Sequence, residues 1–176
     1  WSCTLSSIVE SISSIGKTSV KYDLNTSSQM TIDILNDLGR YAIGRNLTFK
    51  NDFIFKRIGA IARESTKLNK NAFINASVET LQFLGGYSVH CNCSKEALWI
   101  LDEVKEIGKY AAHQNNAPVV HRVVKAIRCI AINAMENKAA DIRVKAIELS
   151  TRFQLIYPSF FKDEKDIRLF SYDHPD

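Results

Sequence analysis

Val104-Lys-Glu-Ile-Gly-Lys-Tyr-Ala111 reads as an amphipathic helix with a glycine in its middle. A glycine inside a helix costs about 0.5–1 kcal/mol relative to alanine, so its recurrence needs a reason. It does recur. A step of 23 residues gives Ile15-Gly16, Leu38-Gly39, Ile61-Ala62, Leu84-Gly85, Ile107-Gly108 and Ile130-Ala131. Each pair is a large aliphatic residue followed by one with almost no side chain. Three residues before each Gly or Ala pair stand Ile12, Leu35, Ile58, Leu81, Val104 and Ile127, all large and aliphatic. At three steps the match is broadest: Asp33, Gly39, Tyr41, Ala42 and Asn46 meet Asp102, Gly108, Tyr110, Ala111 and Asn115.

One helix and one turn therefore form the unit, and two units make a helical hairpin of 46 residues. A small residue kept in register lets a neighbouring helix approach closely, with Gly on one helix against Leu or Ile on the next. A single hairpin cannot bury its apolar face, whereas stacked neighbours can. The competing reading is a generic helical bundle whose spacing arises from similar helix lengths.

Apolar residues at helical spacing carry this reading along the chain. The first helix covers about 4–15 with Leu5, Ile8, Val9, Ile12 and Ile15 inward, and polar 17–28 is expected to be a turn. Further helices are predicted over 28–44, from the cap Asn51-Asp52 onward, from Phe73 to an end near Gly85–Val89, from an N-cap at Ser94 to His113, over 119–136, and up to Pro158. The last places Ile142, Ala146, Ile147, Leu149 and Phe153 inward. Asn69–Asn71, Asn115-Asn-Ala-Pro118 and Asn137 mark turns. No stretch alternates with period two, so the chain is all-α with about seven antiparallel helices. Residues 1–158 form the helical-repeat domain and 159–176 an acidic, aromatic tail.

The hairpin length and the small-residue register resemble the HEAT/armadillo class of α-helical repeats over roughly residues 5–157. The proline common early in HEAT units stands only at Pro118. The resemblance implies a right-handed α-α superhelix whose concave face or ridges bind a protein, a peptide or sometimes nucleic acid.

At 176 residues the chain is long enough to bury a core without staples, and 45% apolar and 24% charged residues are ordinary for a soluble domain. No apolar run approaches the roughly 20 residues of a spanning helix. The start, Trp-Ser-Cys-Thr, has neither an initiator Met nor a leader pattern, which reads as a piece of a longer protein. A net charge of +4 is mild and does not by itself imply nucleic acid or a membrane surface. Four cysteines, Cys3, Cys91, Cys93 and Cys129, are too few for a disulfide scaffold, so a reducing, cytoplasmic setting is expected. Four Asn-x-Ser/Thr sequons, at Asn25, Asn46, Asn75 and Asn92, pull weakly the other way.

No coherent catalytic set, metal site or cofactor motif emerges. Gly16-Lys17-Thr18 echoes the end of a phosphate-binding loop but lacks the earlier Gly and the preceding strand. His90, Cys91 and Cys93 offer soft ligands, yet a structural zinc site wants four, and one residue between cysteines is tight. His113 and His121 flank the Pro118 turn as capping or surface residues. Two basic groups are the candidate binding residues: Lys56, Arg57 and Arg63 on the third helix, and Arg122, Lys125 and Arg128 on the sixth. Lys56 and Lys125 are equivalent repeat positions, so the two groups are expected on one surface, either as a patch for an acidic partner or phosphate, or as a solvated face. Tyr41, Tyr87 and Tyr110 each follow a Gly by two residues and line either a shared groove or the rim of the core.

The chain is thus expected to be a non-enzymatic module for a protein or peptide partner. One alternative is a nucleic-acid-binding domain similar to the HEAT-like alkylpurine DNA glycosylases, for which Asp102 with Trp99 is the only nearby acidic and aromatic pair. A further alternative is the cytoplasmic domain of a larger membrane protein.

Overall fold

The structure, a computed structural model, describes residues 2–161. Seven helices run α1 (Ser2–Lys21), α2 (Asn25–Gly44), α3 (Thr48–Lys67), α4 (Asn71–His90), α5 (Ser94–His113), α6 (Ala117–Glu136) and α7 (Ala140–Ile156), followed by a 3₁₀ turn at Pro158–Phe160. There is no strand among the described residues. Most of the tail expected over 159–176 lies outside them.

The first six helices are each 20 residues long, about 30 Å of helix, and each joint has three residues. The joints explain the 23-residue step. Asp23, Asn46, Asn69, Asn92, Asn115 and Lys138 all have positive φ, between 53° and 58°, and stand one step apart. Each sits at the centre of a Schellman motif. In the second, Leu47 N–H donates to the Ala42 carbonyl at 2.9 Å and Asn46 N–H to Ile43 at 2.9 Å; the pair recurs down to Ala139 to Ala134 and Lys138 to Met135. Asn and Asp tolerate this left-handed conformation better than other non-glycine residues. The asparagines of two sequons, Asn46 and Asn92, therefore have a backbone reason to be there. The residue after each left-handed one is already the N-cap of the next helix, so chain reversal takes a minimum of residues. At the fifth joint Asn116 adds a side-chain cap, accepting from Val119 N–H at 3.3 Å.

These joints correct several expected boundaries. α1 runs six residues past Ile15, through the stretch read as a turn, because Val20 is buried on the same stripe. α3 begins at Thr48 rather than Asn51. The N-cap of α5 is Cys93, with Ser94 the first helical residue.

Every helix packs chiefly on the next and on the next but one. Odd helices α1, α3, α5 and α7 form one layer, and even helices α2, α4 and α6 the other. The glycines govern contact within a layer. A Cβ built on Gly16 would lie 2.8 Å from Ile61, on Gly39 2.9 Å from Leu84, on Gly85 2.6 Å from Ile130, and on Gly108 2.6 Å from Phe153. In every case the partner is 45 residues on, in the helix after next, so the close approach expected between adjacent helices falls mainly between alternate ones. The adjacent helix contributes a second contact: Thr31 on Gly16, Ile100 on Gly85 and Val123 on Gly108. Ile61, Leu84 and Ile130 of the pairs, and Phe153 beyond them, thus each fill the notch left by a glycine two helices earlier.

A second small register accompanies the first. Ser19, Ala42, Ser65, Ser88, Ala111 and Ala134 follow the Gly or Ala by three and are all buried. The Ser65 and Ser88 hydroxyls donate back to the Ile61 and Leu84 carbonyls at 2.8 Å, which satisfies them inside the stack. Ile61, Leu84, Ile107 and Ile130 are wholly buried. Burial of one such side chain contributes about 1.5–3 kcal/mol.

Candidate interaction surface

The layer arrangement separates the two basic groups. Lys56, Arg57 and Arg63 lie on α3, in the odd layer, and Arg122, Lys125 and Arg128 on α6, in the even one. Three steps of the repeat is an odd number of helices, so equivalent positions face opposite sides of the molecule, and the single basic surface expected from sequence does not form. Most of these cations also have partners. Arg57 pairs with Glu10, Arg63 with Glu103 at 3.0 Å, Arg122 with Glu79 at 2.6 Å, and Lys56 with Asp52 at 2.7 Å. The first three pairs each bridge alternate helices of one layer. Gly59 makes room for one of them, since a Cβ there would run into the Glu103 carboxylate. Pairs this exposed contribute about 0–1 kcal/mol each. Arg128 is 9% exposed and belongs to the interior, while Lys125 is exposed.

The tyrosine register divides in the same way. Tyr41 and Tyr87 share the even layer, and Tyr110 is half-buried in the odd one. Between α2 and α4 lies a shallow depression of about 410 Å³ lined by Asp37, Arg40, Tyr41, Gly44, Arg45 and Tyr87. Phe83 and Tyr87, one turn apart, stack with planes 4° apart. The Arg40 guanidinium lies over both rings, 5.6 and 5.9 Å from their centroids, and Arg45 lies 5.8 Å from the Tyr41 ring. No ion pair of Arg40 or Arg45 is seen among the described residues. Gly44 keeps the depression open, because a Cβ there would stand 3.1 Å from the Tyr87 hydroxyl. A hydrogen bond to Cys91, and then the charge of that thiol, push the Tyr87 phenol above its ordinary range. Tyr41 is 61% exposed and Phe83 50%. Arg40 and Phe83 escaped sequence reading because they become neighbours only across the α2–α4 packing.

The other candidates resolve simply. Gly16 is buried in mid-helix, so Gly16-Lys17-Thr18 forms no phosphate loop. Cys93 Sγ points at the Ile43 carbonyl, 3.8 Å away, and burial first, then Glu96 and Cys91, push its thiol up. No group of three metal-ligating side chains comes together among the described residues. His113 and His90 are exposed, whereas His121 stacks on Phe161 at 5.2 Å and its Nε2 meets the Phe160 carbonyl. Asp102 is paired with Lys105 at 2.7 Å, and Trp99 lies under Lys95. Among the described residues no helix is long and apolar enough to cross a membrane.

No protein-family model and no curated protein matches the chain. Among solved structures it is similar to the "DHF46 filament", at 10% identity and a TM-score of 0.57, over 86% of this chain and 97% of that one. At that identity the likeness concerns the fold alone. Over the described residues, fold and register together define an all-α, repeat-like arrangement of seven helices.

Proposed function

We propose that the chain is a non-enzymatic helical-repeat module, arranged as a HEAT/armadillo-type array, that binds a protein or peptide segment in the α2–α4 depression. The observation that carries this reading is Arg40, laid over the Phe83–Tyr87 stack with no carboxylate paired to it. Exposed Tyr and Arg side chains held in place by their own packing are the residue types that dominate protein–protein contacts. Their chemistry suits a segment that offers an acidic group to Arg40 or Arg45 and an apolar side chain to Phe83 and Tyr41. A nucleic acid is the weaker fit, because Arg57, Arg63 and Arg122 are already paired with carboxylates across the repeats.

The test is selection from a displayed peptide library on the folded chain, followed by titration of the winners. Peptides carrying an acidic and an aromatic or aliphatic residue are expected. Arg40→Glu combined with Phe83→Ala should weaken them by about 30-fold or more, the effect of losing a hot-spot pair. Lys56→Glu on the other layer should leave them unchanged. Equal loss from both variants, or none from either, overturns the assignment to this depression.

A further inference from the structure

Among the described residues, the first two helices carry packing residues of the repeat with nothing seated against them. Ile15 occupies the position of Ile61, Leu84, Ile107 and Ile130, which are wholly buried, yet Ile15 is 56% exposed. Ile8 occupies the position of Ile54, Ile100 and Val123, buried to 2% or less, and is 48% exposed. Leu38 on α2 is only half-buried for the same reason. These positions are the ones that point back along the array, toward the notches of the two preceding helices.

The interior contacts say what such residues seat on. Ile61, Leu84, Ile130 and Phe153 each fill the notch over a glycine two helices earlier, while Thr31, Ile100 and Val123 fill the same notches from the adjacent helix. Each notch continues three residues on as Ser or Ala. The open face is thus the direct continuation of an interface the chain already makes four times through its glycines. The far end of a second copy supplies only part of the complement, because Ala131 and Ala134 of α6 are in register but 3% and 0% exposed, already covered within the chain. Its α7 has Gln154 where the notch should be, Tyr157 just past the helix stands where the second small residue should be, and the chain after α7 already folds back on α6 through Phe160, Phe161 and His121. A second copy's α1–α2 face carries the same protrusions and no glycine notch.

We propose that the α1–α2 end is a docking face for a helical hairpin of this chain's own repeat type. Each helix of that hairpin carries Gly or Ala followed three residues later by Ser or Ala. Ile15 and Leu38 seat in the two notches, and Ile8 shares the second. This face is separate from the α2–α4 depression, so either assignment can fail alone.

The probe is a copy of residues 70–115 joined directly ahead of Trp1. In that fusion the copies of Gly85 and Gly108 fall 45 residues before Ile15 and Leu38. The thiol introduced by Ile15→Cys, followed by peptide mass mapping, should react with a maleimide about tenfold or more slowly in the fusion than in the chain alone. Ile15→Glu should lower the melting temperature of the fusion and leave that of the chain unchanged. The proposal is overturned if the thiol stays equally reactive, or if the added hairpin melts separately. It is also overturned if the chain alone forms a dimer in sedimentation that Ile15→Glu abolishes, since a second copy would then cover the face. Loss of the selected peptides in Arg40→Glu would be unaffected by any of these outcomes.

Discussion

The two ends of the stack are built from the same repeat and finished differently. At the N-terminal end, α1 and α2 leave Ile8 48% and Ile15 56% exposed and Leu38 half-buried. At the other end the outward register is broken. α7 keeps Phe153 for the notch of Gly108 but replaces the next small residue by Gln154, and Phe161, 6% exposed, folds in beside His121. Exposed aliphatics remain on α7, at Val144, Ile147 and Leu155, but they do not stand over a notch. Ile147, expected inward, is exposed because no eighth helix covers it within the described residues. A repeat therefore ends when its small residues end, whatever its large residues do.

The largest effect that separates interior from end is steric. Gly108→Leu should destabilise the chain by about 3 kcal/mol or more in denaturant titration, because overpacking adds to the contacts at 2.6 and 2.7 Å that even a Cβ would make with Phe153 and Val123. Helix propensity returns less than about 1 kcal/mol of that. An unchanged midpoint would mean the notches are not what holds alternate helices together.

Next comes the same deletion made at both places. Ile61→Ala should cost about 2–5 kcal/mol, as large-to-small changes at fully buried sites do, while Ile15→Ala at the equivalent end position should cost less than about 0.5. Similar losses at the two sites would show that the end is covered in solution.

The smallest effect lies in a joint. Among the described residues, Lys138 is the one left-handed residue that is neither Asn nor Asp. Lys138→Gly should stabilise by about 1 kcal/mol, and Asn92→Gly by less, measured as the difference in unfolding midpoints. If both gain equally, Asn has no advantage in these turns.

Much of the fold was legible because it is periodic. The Gly/Ala register identified the helices, their number and the close contacts, and misjudged only which neighbour fills each notch. The turn after α1 is misplaced in the sequence reading because Lys17–Ser28 is mostly polar, and of its apolar residues Val20 is buried and extends the helix while Tyr22 and Leu24 are exposed. The asparagine register, Asn46, Asn69, Asn92 and Asn115, was visible at the same 23-residue step but shows its meaning only once φ is known. The candidate surface was far less legible. A linear repeat states which positions are equivalent, not which layer each occupies, and the three helix steps from Lys56 to Lys125, an odd number, reverse the side they face. Arg40 over Phe83 is a contact between helices, set by the stacking of α2 on α4, and no spacing in the sequence announces it.

The 45-residue reach of the notch contacts has a kinetic consequence. Because packing extends chiefly to the next helix but one, little loop entropy is lost before contacts form, and chains of this kind fold quickly from a local nucleus. The interior pair α4 and α5 has neighbours on both sides and is the natural nucleus. α1 has them on one side only, so local opening should begin there, and amide exchange should be fastest in α1 and slowest near Leu84 and Val104.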